Sequence, residues 1–215
     1  FPRIIIPFMP EHRRVNMHGS SEFALQFNTQ ERPEFHRRVL TALWSYKWNG
    51  HHNRHQHKLD AIGVNYVFMP WISNTFRSEY LDNDNARFAI VRYTYENLFI
   101  LNSAYNFIYN SAGSSNSSQR KKNATQFHVG IESAGNLLYL LSKGFDIKKD
   151  ADDRYTLFNV AFAQYVKLDM DYARSISLNK NNSLAMRGAI GVVLPYGNAT
   201  MVPYEKRYFG SFSYY

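Results

Sequence analysis

The sequence predicts an all-β fold, an antiparallel transmembrane β-barrel, from three observations. First, long segments alternate apolar and polar residues. In Leu98–Asn110 (LFILNSAYNFIYN), Phe99, Leu101, Tyr105, Phe107 and Tyr109 fall on one face. Asn102, Ala104 and Asn106 fall on the other, with Leu98, Ile100 and Ile108 as exceptions. A period of two is a strand. Runs of about 10 residues separated by turns suit membrane strands better than the roughly 5–6 residues usual in a soluble sandwich. Second, aromatic residues make up 16% of the chain, with 16 Tyr and 16 Phe. They favour strands and supply the girdles of a bilayer interface. Third, no stretch reaches about 18 consecutive apolar residues, so no transmembrane helix is expected. A mean hydropathy of −0.44 is compatible with a barrel, because alternate strand residues can be polar.

The elements follow in order. Residues 1–8 (FPRIIIPF) read as a strand end broken by Pro2 and Pro7, and 10–19 as a polar connection. Residues 21–28 alternate, with Phe23, Leu25 and Phe27 on one face. Residues 37–48 form the next strand, with Leu40, Ala42, Trp44, Tyr46 and Trp48 on its apolar face. A histidine-rich turn, 49–57, leads to a strand over 59–69. Residues 70–85 break the period. Trp71, Phe76 and Tyr80 have helix-like spacing, so a short surface helix is expected there. Residues 88–95 and 98–110 read as adjacent strands, followed by the low-complexity loop 111–123 (SAGSSNSSQRKKN). Residues 125–132 resume the alternation. NLLYLL (136–141) is continuous, which leaves a short helix and an apolar strand end both open. After a charged loop, 143–154, the longest alternating run is 155–176, with Phe158, Val160 and Phe162 expected outward and Asn159 toward the lumen, and 183–194 is the last strand. That makes about eight long strands joined as hairpins. Lys47, Asp60, Glu132, Lys167, Asp169 and Arg187 fall on the polar faces, a pattern that suits a wet lumen with apolar residues outward.

Composition narrows the functional classes. The chain of 215 residues has no cysteine, which excludes disulfides and thiolate metal sites. Net charge is +8, but the basic residues are scattered and no nucleic-acid-binding motif appears, so no nucleic-acid partner is expected. The chain opens in mid-pattern and stops on SFSYY, as one portion of a larger protein would.

The last forty residues narrow the reading further. NSLAMRGAIGVVLPYGNATMVPYEKRYF (182–209) resembles the barrel of the BamA/TamA family of bacterial surface antigens, and Pro203, Tyr204, Glu205, Lys206, Arg207, Tyr208 and Phe209 match the segment that leads into that family's lumen loop. FPRIIIPF, RPEF, WSYKW, NYVFMPWIS, YNSAG, IESAGNLLY and FAQYVKLDMDYAR resemble the Bacteroidetes TamL-type members, so the likeness runs along nearly the whole chain. The chain departs from the family after Phe209, where Gly210-Ser211-Phe212 stands without the Gly-Gly pair and Arg-Gly tip.

The resemblance implies a partial outer-membrane barrel domain over 1–215, the middle of a sixteen-stranded barrel, with POTRA repeats and terminal strands outside it. It implies an outer-membrane assembly factor that inserts client barrels without covalent chemistry. The partners implied are unfolded outer-membrane clients, the bilayer with its lipopolysaccharide, and periplasmic or lipoprotein accessory subunits. A secretion or transport pore of the same superfamily is the alternative, and a soluble β-sandwich binding module a third.

Other chemistry is weaker. His51, His52, His55 and His57 (HHNRHQH) have no interleaved carboxylate or cysteine, so a solvated turn is expected rather than a metal centre. Asp169 and Asp171 share a strand face beside Lys167 and read as an ion network, because no nucleophile accompanies them. No catalytic residue, cofactor or metal is expected.

Overall fold

A computed structural model describes residues 19–50, 54–82, 85–111, 123–144, 149, 154–157, 160–179 and 182–208. The expectations for residues 1–18, His51, His52, Phe158, Asn159, Phe209 and the loop 112–122 lie outside the described residues.

The chain is all-β. Strands β1 (Gly19–Glu31), β2 (Phe35–Asn49), β3 (His55–Ile72), β4 (Leu98–Asn110) and β5 (Asn123–Ala134) form an antiparallel meander. A small hairpin, β6 (Thr156–Leu157) and β7 (Val160–Ala161), stands apart. The meander then continues through β8 (Tyr165–Ser177) and β9 (Ser183–Pro195). The resulting sheet has seven strands in the order β1-β2-β3-β4-β5-β8-β9. Its main strands are 12–18 residues long. Among the described residues β1 and β9 are the outer strands and do not pair with each other.

Register separates the two faces cleanly. Phe107, Val129, Met170 and Ile190 lie in one row across four strands, and Tyr105, Ile131, Leu168 and Val192 lie in the next. Phe99, Leu101, Phe127 and Met186 belong to the same face. The opposite face carries Asn102, Asn106, Gln126, Glu132, Lys167, Asp169 and Arg187, as the alternation predicts. Lys47 and Asp60 join them through the β2–β3 register. The main irregularities are bulges in β2–β3 and β3–β4, near Ala61.

Two expected strands are corrected. Residues 88–95 form a 3₁₀ turn (Ala86–Phe88) and a helix, α2 (Ala89–Thr94). Their β-branched and aromatic composition suggests a strand, but Phe88, Val91 and Tyr95 also recur at helical spacing, and β3 pairs with β4 directly. The run 155–176 is not continuous: it is broken between β7 and β8. Val160 and Phe162 therefore do not point outward. Phe162 is 1% exposed and bridges Phe99, while Ala163 donates to the Phe99 carbonyl at 2.9 Å. The expected short helix in 70–85 is present as α1 (Asn74–Phe76), capped by Ser73 and continued by a π-helical turn, Arg77–Leu81. The residues NLLYLL open α3 (Asn136–Gly144), a helix.

These corrections explain the exceptions in β4. Leu98 and Ile100 sit on the polar face, yet Ile100 is 0% exposed. With Val67, Ala134, Ala163 and Tyr165 they form a small core at one end of that face. The long connections β3–β4 and β5–β8 leave the sheet at this end. An aromatic cluster holds the first of them: Tyr95 meets both Phe35 (4.9 Å) and Phe76 (5.0 Å) edge-on.

A buried polar knot ties the second connection to the chain beyond β9. Asn198, 5% exposed, donates through Nδ2 to the Tyr155 and Phe162 carbonyls (2.9 and 3.0 Å). Its Oδ1 accepts from the Tyr155 amide at 2.6 Å, and its own amide donates to Gln164 Oε1 at 2.9 Å. Asn198→Ala strips partners from three backbone groups, the buried Phe162 carbonyl, worth about 1–3 kcal/mol, and the half-buried amide and carbonyl of Tyr155, worth less. The expected loss is about 2–4 kcal/mol, seen as a lower urea midpoint at unchanged slope. A loss below about 0.5 kcal/mol, ordinary for a surface site, contradicts the knot.

Candidate functional site

The residues beyond β9 turn back over the polar face. Pro203 is fully buried and enters a 3₁₀ turn, Tyr204–Lys206, whose bonds run from the Lys206 amide to the Pro203 carbonyl (3.0 Å) and from the Arg207 amide to the Tyr204 carbonyl (3.2 Å). Arg207 Nε donates to the Val202 carbonyl at 2.9 Å and closes the turn on itself.

Three side chains then cross the sheet. Glu205 pairs with Arg37 at the start of β2. Lys206 Nζ reaches Glu132 Oε1 on β5 at 2.6 Å. Tyr208 donates to Asp169 on β8, with Lys167 Nζ 4.3 Å from its ring centre. Six residues thus connect to three strands of the polar face. Lys206 and Glu132 are each less than one-fifth exposed.

Glu132 is the hub. Its Oε1 also accepts from Asn102 Nδ2 at 3.0 Å and from the Tyr165 hydroxyl at 2.6 Å. A buried carboxylate is stable only when paired and hydrogen-bonded, and here one ammonium and two neutral donors converge on it. The Tyr208 hydroxyl also lies 3.2 Å from the Leu168 carbonyl, so both acceptors within its reach belong to β8. Around this hub lies a cavity of about 280 Å³, bordered by Thr41, Asp60, Asn65, Asn102, Glu132 and Lys206.

The sheet makes room for the crossing. A side chain on Gly191 of β9 would collide with the Tyr208 ring. Gly191→Val is therefore expected to lift Tyr208 and loosen the turn. Trypsin should then cut after Lys206 and Arg207 several-fold faster than in the wild type, while cuts in the sheet stay slow. Equal rates at these two bonds would show that the crossing does not depend on Gly191.

The structure brings together Glu205 and Lys206 of the segment singled out in the sequence, with Pro203, Tyr204 and Arg207 as its scaffold; Phe209 lies outside the described residues. Arg37, Glu132 as the hub, and Gly191 were not visible as its partners. Arg37 and Glu205 stand 168 positions apart, and no local pattern links them. Asp169 and Asp171 do share a face, but each is engaged: Asp169 by Tyr208, and Asp171 by Arg187 at 2.5 Å. His55 and His57 also share a face, the apolar one. There His57 stacks on Trp48 (5.2 Å, 6° between planes) and its Nδ1 lies 2.8 Å from the Tyr105 hydroxyl. His55 packs against Phe107 and Tyr109. They belong to an aromatic row at the end of the sheet opposite the core.

No protein-family model, no curated protein and no solved structure matches this chain.

Proposed function

We propose that this chain is part of an outer-membrane β-barrel of the BamA/TamA type, and that the whole protein folds client barrels into the outer membrane without covalent chemistry. One observation carries the membrane reading. Phe23, Leu25, Phe27, Leu40, Trp44, Ile62, Ile131, Leu168, Met170, Ile190, Val192 and Leu194 are all exposed, and register puts them on a single face of the sheet. A soluble monomer rarely exposes an apolar patch beyond a few hundred Å². Against lipid that face is the favourable one, and the charged opposite face becomes a wet lumen. A soluble sandwich would need a second layer over the apolar face, and none is present among the described residues.

Among the described residues the outer edges of β1 and β9 have no partner strand, which supports a larger barrel, because backbone groups left unpaired in lipid cost several kcal/mol each. The end with the longer connections, where the core sits, corresponds to the outside, since barrels carry short periplasmic turns and longer external loops. Clients would engage by adding a strand to a sheet edge. The crossing segment and the apolar core fill part of the lumen, which favours insertion over an open secretion conduit. Depleting the whole protein tests the reading. Many outer-membrane proteins should fall together. Loss of a single secreted partner would favour the transport pore, and unchanged levels would reject insertion.

A further inference from the structure

Helix α3 exposes three leucines on one side. Leu137, Leu140 and Leu141, at i, i+3 and i+4, are 61%, 69% and 44% exposed. The opposite side is fixed: Ser142 is 4% exposed, and the Tyr139 ring meets Tyr155 edge-on at 5.6 Å. The helix therefore cannot roll its leucines inward without breaking that packing.

The start of α3 is held at the rim of the sheet's apolar face. Gly135, at φ +75°, turns the chain out of β5, and a side chain there would strike the Ala163 carbonyl. The Gly135 amide donates to the Leu101 carbonyl at 2.9 Å. Asn136 Nδ2 then donates to Ser133 Oγ at 2.7 Å, and Ser133 stands in the same alternation as Val129 and Ile131 on the apolar face. Asn136 Oδ1 accepts from the Tyr196 hydroxyl (2.7 Å) and from Gln164 Nε2 (2.9 Å), which fastens the first turn to the ends of β8 and β9. The helix thus starts beside the Ser133–Val166–Leu194 row, and the apolar-face residues at this end of the sheet, Ile131, Val166 and Leu194, are themselves exposed. Lys143 in the last turn is exposed, and its stem is long enough to carry the ammonium toward headgroups.

We propose that α3 is an interfacial helix, lying at the headgroup level of the bilayer with Leu137, Leu140 and Leu141 in the acyl boundary. The occupant of its apolar side is lipid, because the helix starts at the rim of the face assigned to lipid, and a short amphipathic helix at a membrane rim buries its apolar side in that boundary. The proposal rests on the barrel reading above.

The test uses single cysteines at Leu140, Leu137, Met170 and Thr200 in the full polypeptide. The 215 residues contain no cysteine of their own, so within them each label has one address. Each variant carries an environment-sensitive nitrobenzoxadiazole label and is folded into vesicles of phosphatidylcholine and phosphatidylglycerol. The vesicles hold a nitroxide either near the headgroup or near the chain end. Labels at Leu140 and Leu137 should emit at shorter wavelength than one at Thr200 and should lose several-fold more fluorescence to the shallow nitroxide than to the deep one. The label at Met170, mid-strand on β8, should answer most to the deep nitroxide. Water-like emission at Leu140 and Leu137 with Met170 still quenched overturns the interfacial helix and leaves the barrel standing. A blue-shifted but unquenched label at both leucines means that protein, either a client or a second copy, covers the helix, and this also overturns the proposal. Water-like emission at Met170 as well would overturn the barrel reading itself.

Discussion

Arginine in place of Ile190 is expected to destabilise the folded protein in a bilayer by about 2–4 kcal/mol, while arginine at the adjacent Ala189 costs less than about 1 kcal/mol. The two residues stand at the same depth on β9 and differ only in face. Ile190 is two-thirds exposed and opposite Met170; Ala189 is opposite Asp171. On the apolar face a guanidinium must be taken from water into hydrocarbon. On the polar face it stays wet, beside the Asp171–Arg187 pair. Urea unfolding of both variants from vesicles checks the difference. If the sheet were bathed in water on both faces, both substitutions would fall within about 0.5 kcal/mol of the wild type. Because side chains alternate strictly, a slip of one residue would exchange the two results.

The second large effect concerns the hub. Glu132→Leu removes the acceptor of Lys206, Asn102 and Tyr165 at once. The Lys206 ammonium is then left less than one-fifth exposed and unpaired, a situation that costs about 3–5 kcal/mol. Lys206→Met in the same background should recover much of that loss, because an ion pair replaced whole by apolar groups is often close to neutral. The double variant is therefore expected to be more stable than Glu132→Leu alone, with a coupling of roughly 1–3 kcal/mol in a double-mutant cycle. Additive losses would mean that Lys206 and Glu132 do not meet in the folded protein. Trypsin sensitivity after Arg207 should rise in the single variant and track the same coupling.

Most of the sheet was legible in the sequence because a strand with one apolar face and one wetted face prints a period of two. β4 matches its expected limits, Leu98–Asn110, and β2, β3, β5 and β9 extend a few residues beyond theirs. Legibility fails where that condition fails. Around Leu98, Ile100 and Tyr165 the polar face turns apolar to build a core, and Phe162, apolar and in phase with β8, is drawn inside rather than out. Residues 88–95 carry strand-forming side chains, but the register joins β3 directly to β4 and leaves no place for a strand between them. NLLYLL could not be assigned because its apolar residues serve two purposes: Tyr139 packs on Tyr155 while three leucines stay outside. The crossing segment was singled out through its family likeness, but its partners were not, since Arg37, Glu132 and Asp169 reach it only through the pairing of distant strands.

The central claim is that the apolar face meets lipid and the polar face meets water. Spin labels placed one at a time from Val166 to Ala173 along β8, in the full polypeptide folded into vesicles, test it most directly. Oxygen, which partitions into lipid, and a water-soluble nickel chelate report the surroundings of each label. The account predicts opposite oscillations of period two: oxygen access highest at Val166, Leu168, Met170 and Tyr172, and nickel access highest at Lys167, Asp169, Asp171 and Ala173. High nickel access at Leu168, Met170 and Tyr172, with no oxygen maximum there, would contradict it.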